Sequence, residues 1–225
     1  MKKKAIVLGA SGLIGSSLLT QLLASPDYEA VLVLVRRKLD REHPKLQQLL
    51  VDFDKINDYR SEITGDVVFC CLGTTRSKSP DLNAYRKIDY LYPLDIASIA
   101  EANGASQYHL VSSMGANPKS SIFYSRLKGE TERDLQNIPF KSIHIYRPSL
   151  LDGERKEHRT AEGFMIGLMR VLNPFLIAGL RKYRSIKIEK VALAMLKASL
   201  KDTEGVFIYP SDEIFEIASK NNSEA

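Results

Sequence analysis

A chain of 225 residues with 44% hydrophobic and 26% charged residues has the composition of one ordinary globular domain, neither disordered nor fibrous. Its 32 Lys and Arg against 27 Asp and Glu leave a net charge of +5. The cations lie in short scattered groups (Lys2 to Lys4, Arg36 to Lys38, Arg155 to Arg159, Arg181 to Arg184) without the stripe of a nucleic-acid binder, so nucleic acid is not expected as a partner. No run is long enough to span a membrane, and only four apolar residues separate Lys4 from Gly9, too few for an export signal. The adjacent Cys70 and Cys71 would point to opposite faces of a strand and cannot easily bridge each other. With no disulfide framework, a reducing compartment is expected, with the cytoplasm as the default. His43, His109, His144 and His158 lack the spacing of metal ligands, so no metal is expected.

The elements alternate along the chain. A strand, AIVLG from Ala5, leads into a helix near 12–24, and AVLVLV from Ala30 follows as the second strand. LLVDF from Leu49 and DVVFCCL from Asp66 come next, then a helix near 81–103 and the strand QYHLVSS from Gln107. A helix near 121–136, followed by Pro139, precedes SIHIYR from Ser142. Several strands are apolar without alternation, as strands buried on both faces of a parallel sheet must be. Beyond residue 151 the pattern changes. An apolar stretch at 160–180, interrupted by Gly163, Gly167 and Pro174, precedes a helix near 187–200 and the strand GVFIY from Gly205. The expected class is α/β: a doubly wound, mostly parallel sheet with a small C-terminal helical region beside the substrate. The whole of 1–225 reads as one domain, with 1–150 as the cofactor core and 151–220 as substrate-side elements. Simple packing of the later segment on the core is the competing account.

The run GASGLIG sets Gly9, Gly12 and Gly15 between the first strand and the first helix. Glycines there allow the turn, the close approach of a pyrophosphate and tight helix–strand packing, and the free N–H groups at the helix start face the anion. The spacing departs by one residue from the usual dinucleotide fingerprint, but its place after the first strand supports a Rossmann fold. Gly9, Ser11, Gly12, Leu13, Ile14 and Gly15 are the expected phosphate-side residues. The second strand chooses the cofactor. NAD binders carry an acidic residue there; this strand runs into Arg36 and Arg37, which would pair with a 2′-phosphate. NADP(H) is therefore favoured over NAD(H), against the plainer reading of a charged strand end at the surface.

Taken in order, GASGLIG, VDFD at 51–54, CCLGTT at 70–75, LVSSMGA at 110–116, YSRLK at 124–128 and YRPSLL at 146–151 resemble the short-chain dehydrogenase/reductase superfamily. More narrowly they resemble its atypical branch of Tat-interacting-protein-like oxidoreductases. The resemblance implies that Asp52 and Phe53 lie beside the adenine, and that Leu72, Gly73, Thr74 and Thr75 line the path to the nicotinamide. Arg147, Pro148 and Ser149 would approach its far end. It implies Tyr124 as general acid, Lys128 holding the nicotinamide ribose, and Ser113 polarising the substrate carbonyl, with Ser112 as alternate. Asp89 falls loosely where many relatives carry a helper asparagine.

The residues themselves fit that chemistry. Tyr124 and Lys128 stand four apart on a helix and share a face, and a neighbouring ammonium favours a phenolate. A serine at a strand end can donate to the same carbonyl oxygen. The expected function is an NADP(H)-dependent oxidoreductase acting on an unidentified carbonyl or alcohol. The alternative is a non-catalytic NADP(H)-binding protein that regulates a partner or senses redox state. A peripheral membrane role for 160–180 with Arg181 to Arg184 is weaker still. The partner is a small molecule, and the assembly a monomer or homodimer.

Overall fold

The computed structural model describes residues 2–75, 79–152 and 183–220. The apolar segment 160–180, the cations at 155–159 and Arg181, His158, the tail from Asn221 and part of the loop near 74–80 lie outside them.

Seven strands form one parallel sheet: β1 (Lys3–Leu8), β2 (Tyr28–Val35), β3 (Leu46–Leu50), β4 (Val67–Cys70), β5 (Gln107–Val111), β6 (Ser142–Arg147) and β9 (Gly205–Pro210). Two short strands, β7 (Leu151–Asp152) and β8 (Ile186–Lys187), pair separately. In space the order is β3-β2-β1-β4-β5-β6-β9, so the chain reverses direction across the sheet between β1 and β4. That is the switch point of a Rossmann fold, where a crevice opens beyond the carboxyl ends of the strands.

The unbroken apolar runs are explained by burial on both faces. Along β1, Ala5 and Val7 join one core while Ile6 and Leu8 join the other, as side chains alternating across a strand must. The first core is closed by α1 (Leu13–Ala24), α5 (Ile188–Ser199) and α6 (Ser211–Ser219). Leu18, Leu19 and Leu22 of α1 are fully buried there, each contributing about 1.5–3 kcal/mol of hydrophobic stabilisation. The second core is covered by a 3-10 segment (Phe53–Tyr59), α3 (Tyr92–Ala102) and the end of α4 (Phe123–Leu135).

Three differences from the expected elements have physical causes. The third strand begins at Leu46, earlier than LLVDF suggests, because an edge strand with mostly half-buried side chains tolerates Gln47 and Gln48. The long helix near 81–103 is three pieces: α2 (Leu82–Arg86), a π-turn (Lys87–Leu91) and α3. The C-terminal helices pack on the sheet. Val191, Ala194 and Met195 of α5 are fully buried in the same core as α1. The acidic first turn of α6, Asp212 and Glu213, suits a helix start missed in the sequence.

Candidate cofactor and active site

The glycine turn lies at the switch point. Gly9 has φ +76°, and a Cβ there would sit 2.6 Å from the Cys71 carbonyl oxygen, so the loops after β1 and β4 touch through bare backbone. A Cβ on Gly15 would sit 2.2 Å from the Gly9 carbonyl oxygen, which presses α1 onto the turn. The Gly12 N–H closes the turn on Gly9 O at 2.9 Å. Gly12 is the N-cap of α1. No side chain caps the helix and no acidic residue stands in its first turn. The N–H groups of Leu13, Ile14 and Gly15, with the exposed Ser11 beside them, therefore form a cradle suited to a pyrophosphate.

On one side of the turn, Arg36 and Arg37 follow β2 directly and are exposed. Neither forms an ion pair with an acidic side chain among the described residues. Asp52 opens the 3-10 segment by accepting the Asp54 N–H. The Phe53 ring is buried, with its centroid 5.2 Å from that of Tyr92. The Tyr92 hydroxyl donates to Asp54 Oδ1 at 2.9 Å; burial first, then this bond, pushes its pKa up to about 12, and the Arg36 charge opposes that rise.

The other side gathers the ionisable groups. Leu72 is half-buried, and Gly73 and Thr74 follow it after β4 with Thr75. The Thr74 N–H donates to Asp89 Oδ2 at 2.8 Å, and its carbonyl accepts the Tyr85 hydroxyl at 2.9 Å. Asp89 lies inside the π-turn, and its Oδ1 is 2.9 Å from Lys128 Nζ; their side chains are 0% and 6% exposed. Burial alone would drive the Lys128 ammonium to release its proton. The Asp89 carboxylate and the Tyr124 phenol outweigh it, and the pKa is raised above the usual lysine value. Tyr124, one turn before Lys128 on α4, is 41% exposed. Tyr124, Lys128, Asp89 and Tyr85 thus form one electrostatic cluster.

The two candidate serines after β5 differ. The Ser112 hydroxyl donates to Glu132, which is also gripped by Arg147 through Nε, at 3.0 Å, and Nη2. This buried strut joins β5, α4 and β6. The Ser113 hydroxyl oxygen is buried and has no hydrogen-bond partner among the described residues. A buried hydroxyl left unbonded costs free energy, which a carbonyl oxygen placed there would relieve. Pro148 accepts the Met114 N–H at 3.1 Å, while the Ser149 hydroxyl bonds to Arg184 O and Ser211 Oγ. The side chains of Arg147 and Ser149 are thus engaged with protein groups.

Sequence reasoning missed Glu132 and Gly129. A Cβ on Gly129 would lie 2.3 Å from Asn117 C and Pro118 N, so the loop carrying Ser113 crosses α4 immediately beside Lys128. A glycine directly after YSRLK was the available signal. His109 and His144 sit in the strands as buried, stacked rings, their centroids 4.4 Å apart. Among the described residues no group of His, Cys, Asp and Glu is placed to hold a metal, and no helix is long and apolar enough to cross a membrane.

A glycine cradle at the switch point of a parallel sheet defines a dinucleotide-binding Rossmann domain. Residues 9–162 match the family model described as NAD(P)H-binding, and the chain belongs to that family. It is 37% identical over 164 residues to rat Protein HTATIP2, covering 71% of this chain and 67% of that one. It is 34% identical over 192 residues to Protein FMP52, mitochondrial, of Saccharomyces cerevisiae, covering 80% and 76%. The Candida glabrata protein of the same name aligns over 99% of both chains at 32% identity. Among solved structures, MoeE5 in complex with UDP-glucuronic acid and NAD superposes with a TM-score of 0.70 over 96% of this chain and 81% of that one, at 18% identity. The UDP-N-acetylglucosamine 4-epimerase of Methanobrevibacter ruminantium gives 0.68 over the same shares, also at 18%. These likenesses show the Rossmann-type fold.

Proposed function

We propose that the protein is an NADP(H)-dependent oxidoreductase that interconverts a carbonyl and an alcohol. The observation that carries this reading is the pairing, one turn apart on α4, of an exposed Tyr124 with a buried and charged Lys128, together with a buried Ser113 hydroxyl that has no hydrogen-bond partner among the described residues. The nicotinamide, when bound, supplies or accepts the hydride. Ser113 donates a hydrogen bond to the carbonyl oxygen as negative charge builds on it. The Tyr124 phenol delivers the proton to that oxygen, and the Lys128 ammonium one turn away stabilises the phenolate left behind. Gly9 to Gly15 bind the pyrophosphate, Phe53 and Asp52 flank the adenine, and Gly73 to Thr75 border the nicotinamide ribose. Arg36 and Arg37, which have no acidic ion-pair partner among the described residues, support NADP(H) over NAD(H). Leu72, Pro148 and Ser149 line the remaining wall.

The reading is tested by following NADPH oxidation against a panel of aldehydes, ketones and quinones. Tyr124→Phe should reduce turnover of any substrate found by at least ~10²-fold, with little change in NADPH affinity. Unchanged turnover would overturn the mechanism. Tight NADPH binding without turnover by the unaltered protein would favour a regulatory role. The free thiols of buried Cys70 and half-buried Cys71 suit a reducing compartment, and we place the protein in the cytoplasm. The fungal relatives carry "mitochondrial" in their names, so cell fractionation decides between the two.

A further inference from the structure

A groove of about 670 Å³ runs between the outer flank of α1, the loop after β2 and the first turn of α5. Its volume is that of a small-molecule site. Of the residues assigned to the cofactor, only Leu13 reaches it. Leu18 and Leu22 of α1 are buried in the core, while Leu13, Ser17 and Thr20, three or four apart, line the groove. Two of its walls carry polar groups that lack partners. The Gln21 Nε2 donates to the Glu189 carbonyl at 3.2 Å and to Ser17 Oγ at 3.4 Å, which fixes the end of the amide that is oxygen. The Gln21 Oε1 is buried and accepts no hydrogen bond. An acceptor so placed costs free energy, which a donor on a ligand would relieve. Beside it the exposed Glu189 has no ion pair among the described residues. Arg41 donates from Nη1 to Thr20 Oγ1 at 2.9 Å and likewise has no carboxylate partner among those residues. The hydroxyls do not substitute as donors: Ser16 donates to Leu13 O at 3.1 Å and Thr20 to Ser16 O at 3.0 Å.

Arg41 is tied to Thr20 and Glu189 to Gln21. These consecutive residues point about 100° apart on a helix, so the cation and the two acceptors stand on opposite walls. Between them Leu13 and the buried Ile188 supply an apolar floor. We propose that this groove binds a small zwitterion of the dipeptide class. Its carboxylate meets Arg41, its ammonium meets Gln21 Oε1 and the Glu189 carboxylate, and its apolar side chain rests on Leu13 and Ile188. An α-amino acid carries both charges on one carbon and reaches only one wall. A nucleotide brings an anion for Arg41 but no ammonium for the other side.

The test titrates the full chain calorimetrically with alanyl-leucine, with and without saturating NADPH. Saturable one-to-one binding is expected, changed by less than about threefold when NADPH is present. N-acetyl-alanyl-leucine lacks the ammonium and alanyl-leucine amide lacks the carboxylate, and each should bind at least ~10-fold more weakly. Arg41→Ala should bind alanyl-leucine at least ~10-fold more weakly and should no longer distinguish it from its amide. Gln21→Met should weaken alanyl-leucine by at least ~5-fold and leave the N-acetyl form unaffected. The capped ligands keep the test decisive where a variant folds poorly, because they leave the protein unaltered. Absence of saturable binding overturns the proposal, as does equal binding of the free and capped dipeptides. Displacement of the dipeptide by NADPH would put it in the cofactor crevice and overturn the site. Free leucine or AMP binding as tightly as the dipeptide would overturn the ligand class.

Discussion

Gly15→Ala tests the cradle at its tightest point. The added methyl would begin 2.2 Å from the Gly9 carbonyl oxygen and 2.8 Å from its carbon, where ordinary contact starts at 3.4 Å. Both atoms belong to backbone, so no flexible side chain can swing aside, and turn and helix must part by roughly 1 Å. Overpacking of this kind costs about 1–3 kcal/mol of stability. The larger effect falls on the ligand. Hydrogen bonds to a charged group contribute about 1.5–3 kcal/mol each, and a shift of roughly 1 Å spoils at least one of those from Leu13, Ile14 or Gly15. The NADPH dissociation constant should therefore rise by about 10- to 150-fold. Fluorescence titration of NADPH measures it directly, with Thr20→Ala on the exposed face of the same helix as control. An affinity within threefold of the unaltered protein, in a variant that folds, would refute the placement of the pyrophosphate at this turn.

Arg36→Glu combined with Arg37→Glu should weaken NADPH by on the order of 10²-fold while changing NADH by less than about threefold, since only NADPH carries the 2′-phosphate. Equal losses for both cofactors would remove the case for NADP(H). Gly129→Ala forces a methyl into the backbone of Asn117 and Pro118, and a thermal scan should show a fall of roughly 3–10 °C. An unchanged Tm would contradict the close crossing of loop and helix. Burial holds His144 down to about 4 and His109 well below its ordinary value, so both are neutral in the fold. The unfolded chain takes up their protons first. The stability they secure is full above pH 6.5 and is lost as pH falls towards 4. For His144 the loss is about 2 kcal/mol at pH 5. The drop in Tm between pH 7.5 and 5 should be smaller in His144→Gln, and an identical drop would exclude this source.

What was legible depended on how local the constraint is. Gly9 and Gly15 could be read because the turn they form is set within seven residues, and each glycine answers to backbone a few ångströms away. The buried strands could be read because burial on both faces removes the polar alternation. Ser113 and Ser112 are adjacent and chemically identical, and only the family resemblance put Ser113 first with Ser112 as alternate. Glu132, twenty residues beyond Ser112, is what distinguishes them. The π-turn around Asp89 left no trace, since one residue too many in a helix changes neither composition nor obvious periodicity. The third strand was placed late because its polar start is tolerated only at an edge, and edges are a property of the assembled sheet. The helix of α6 went unnoticed because SDEIFEIAS is short and follows Pro210 without a turn residue between them.

The packing of α1 against α5 carries a consequence for how the molecule is made. The helix that opens the nucleotide cradle rests on residues 188–199, and Ser199 is bonded by both Lys3 and Tyr28, from the first two strands. A nascent chain therefore exposes Leu18, Leu19 and Leu22 until residues 188–199 have left the ribosome. An early helix waits for a much later one to cover it. The cradle acquires its firm backing only once that later segment has been made, which ties the capacity to hold nucleotide to its synthesis.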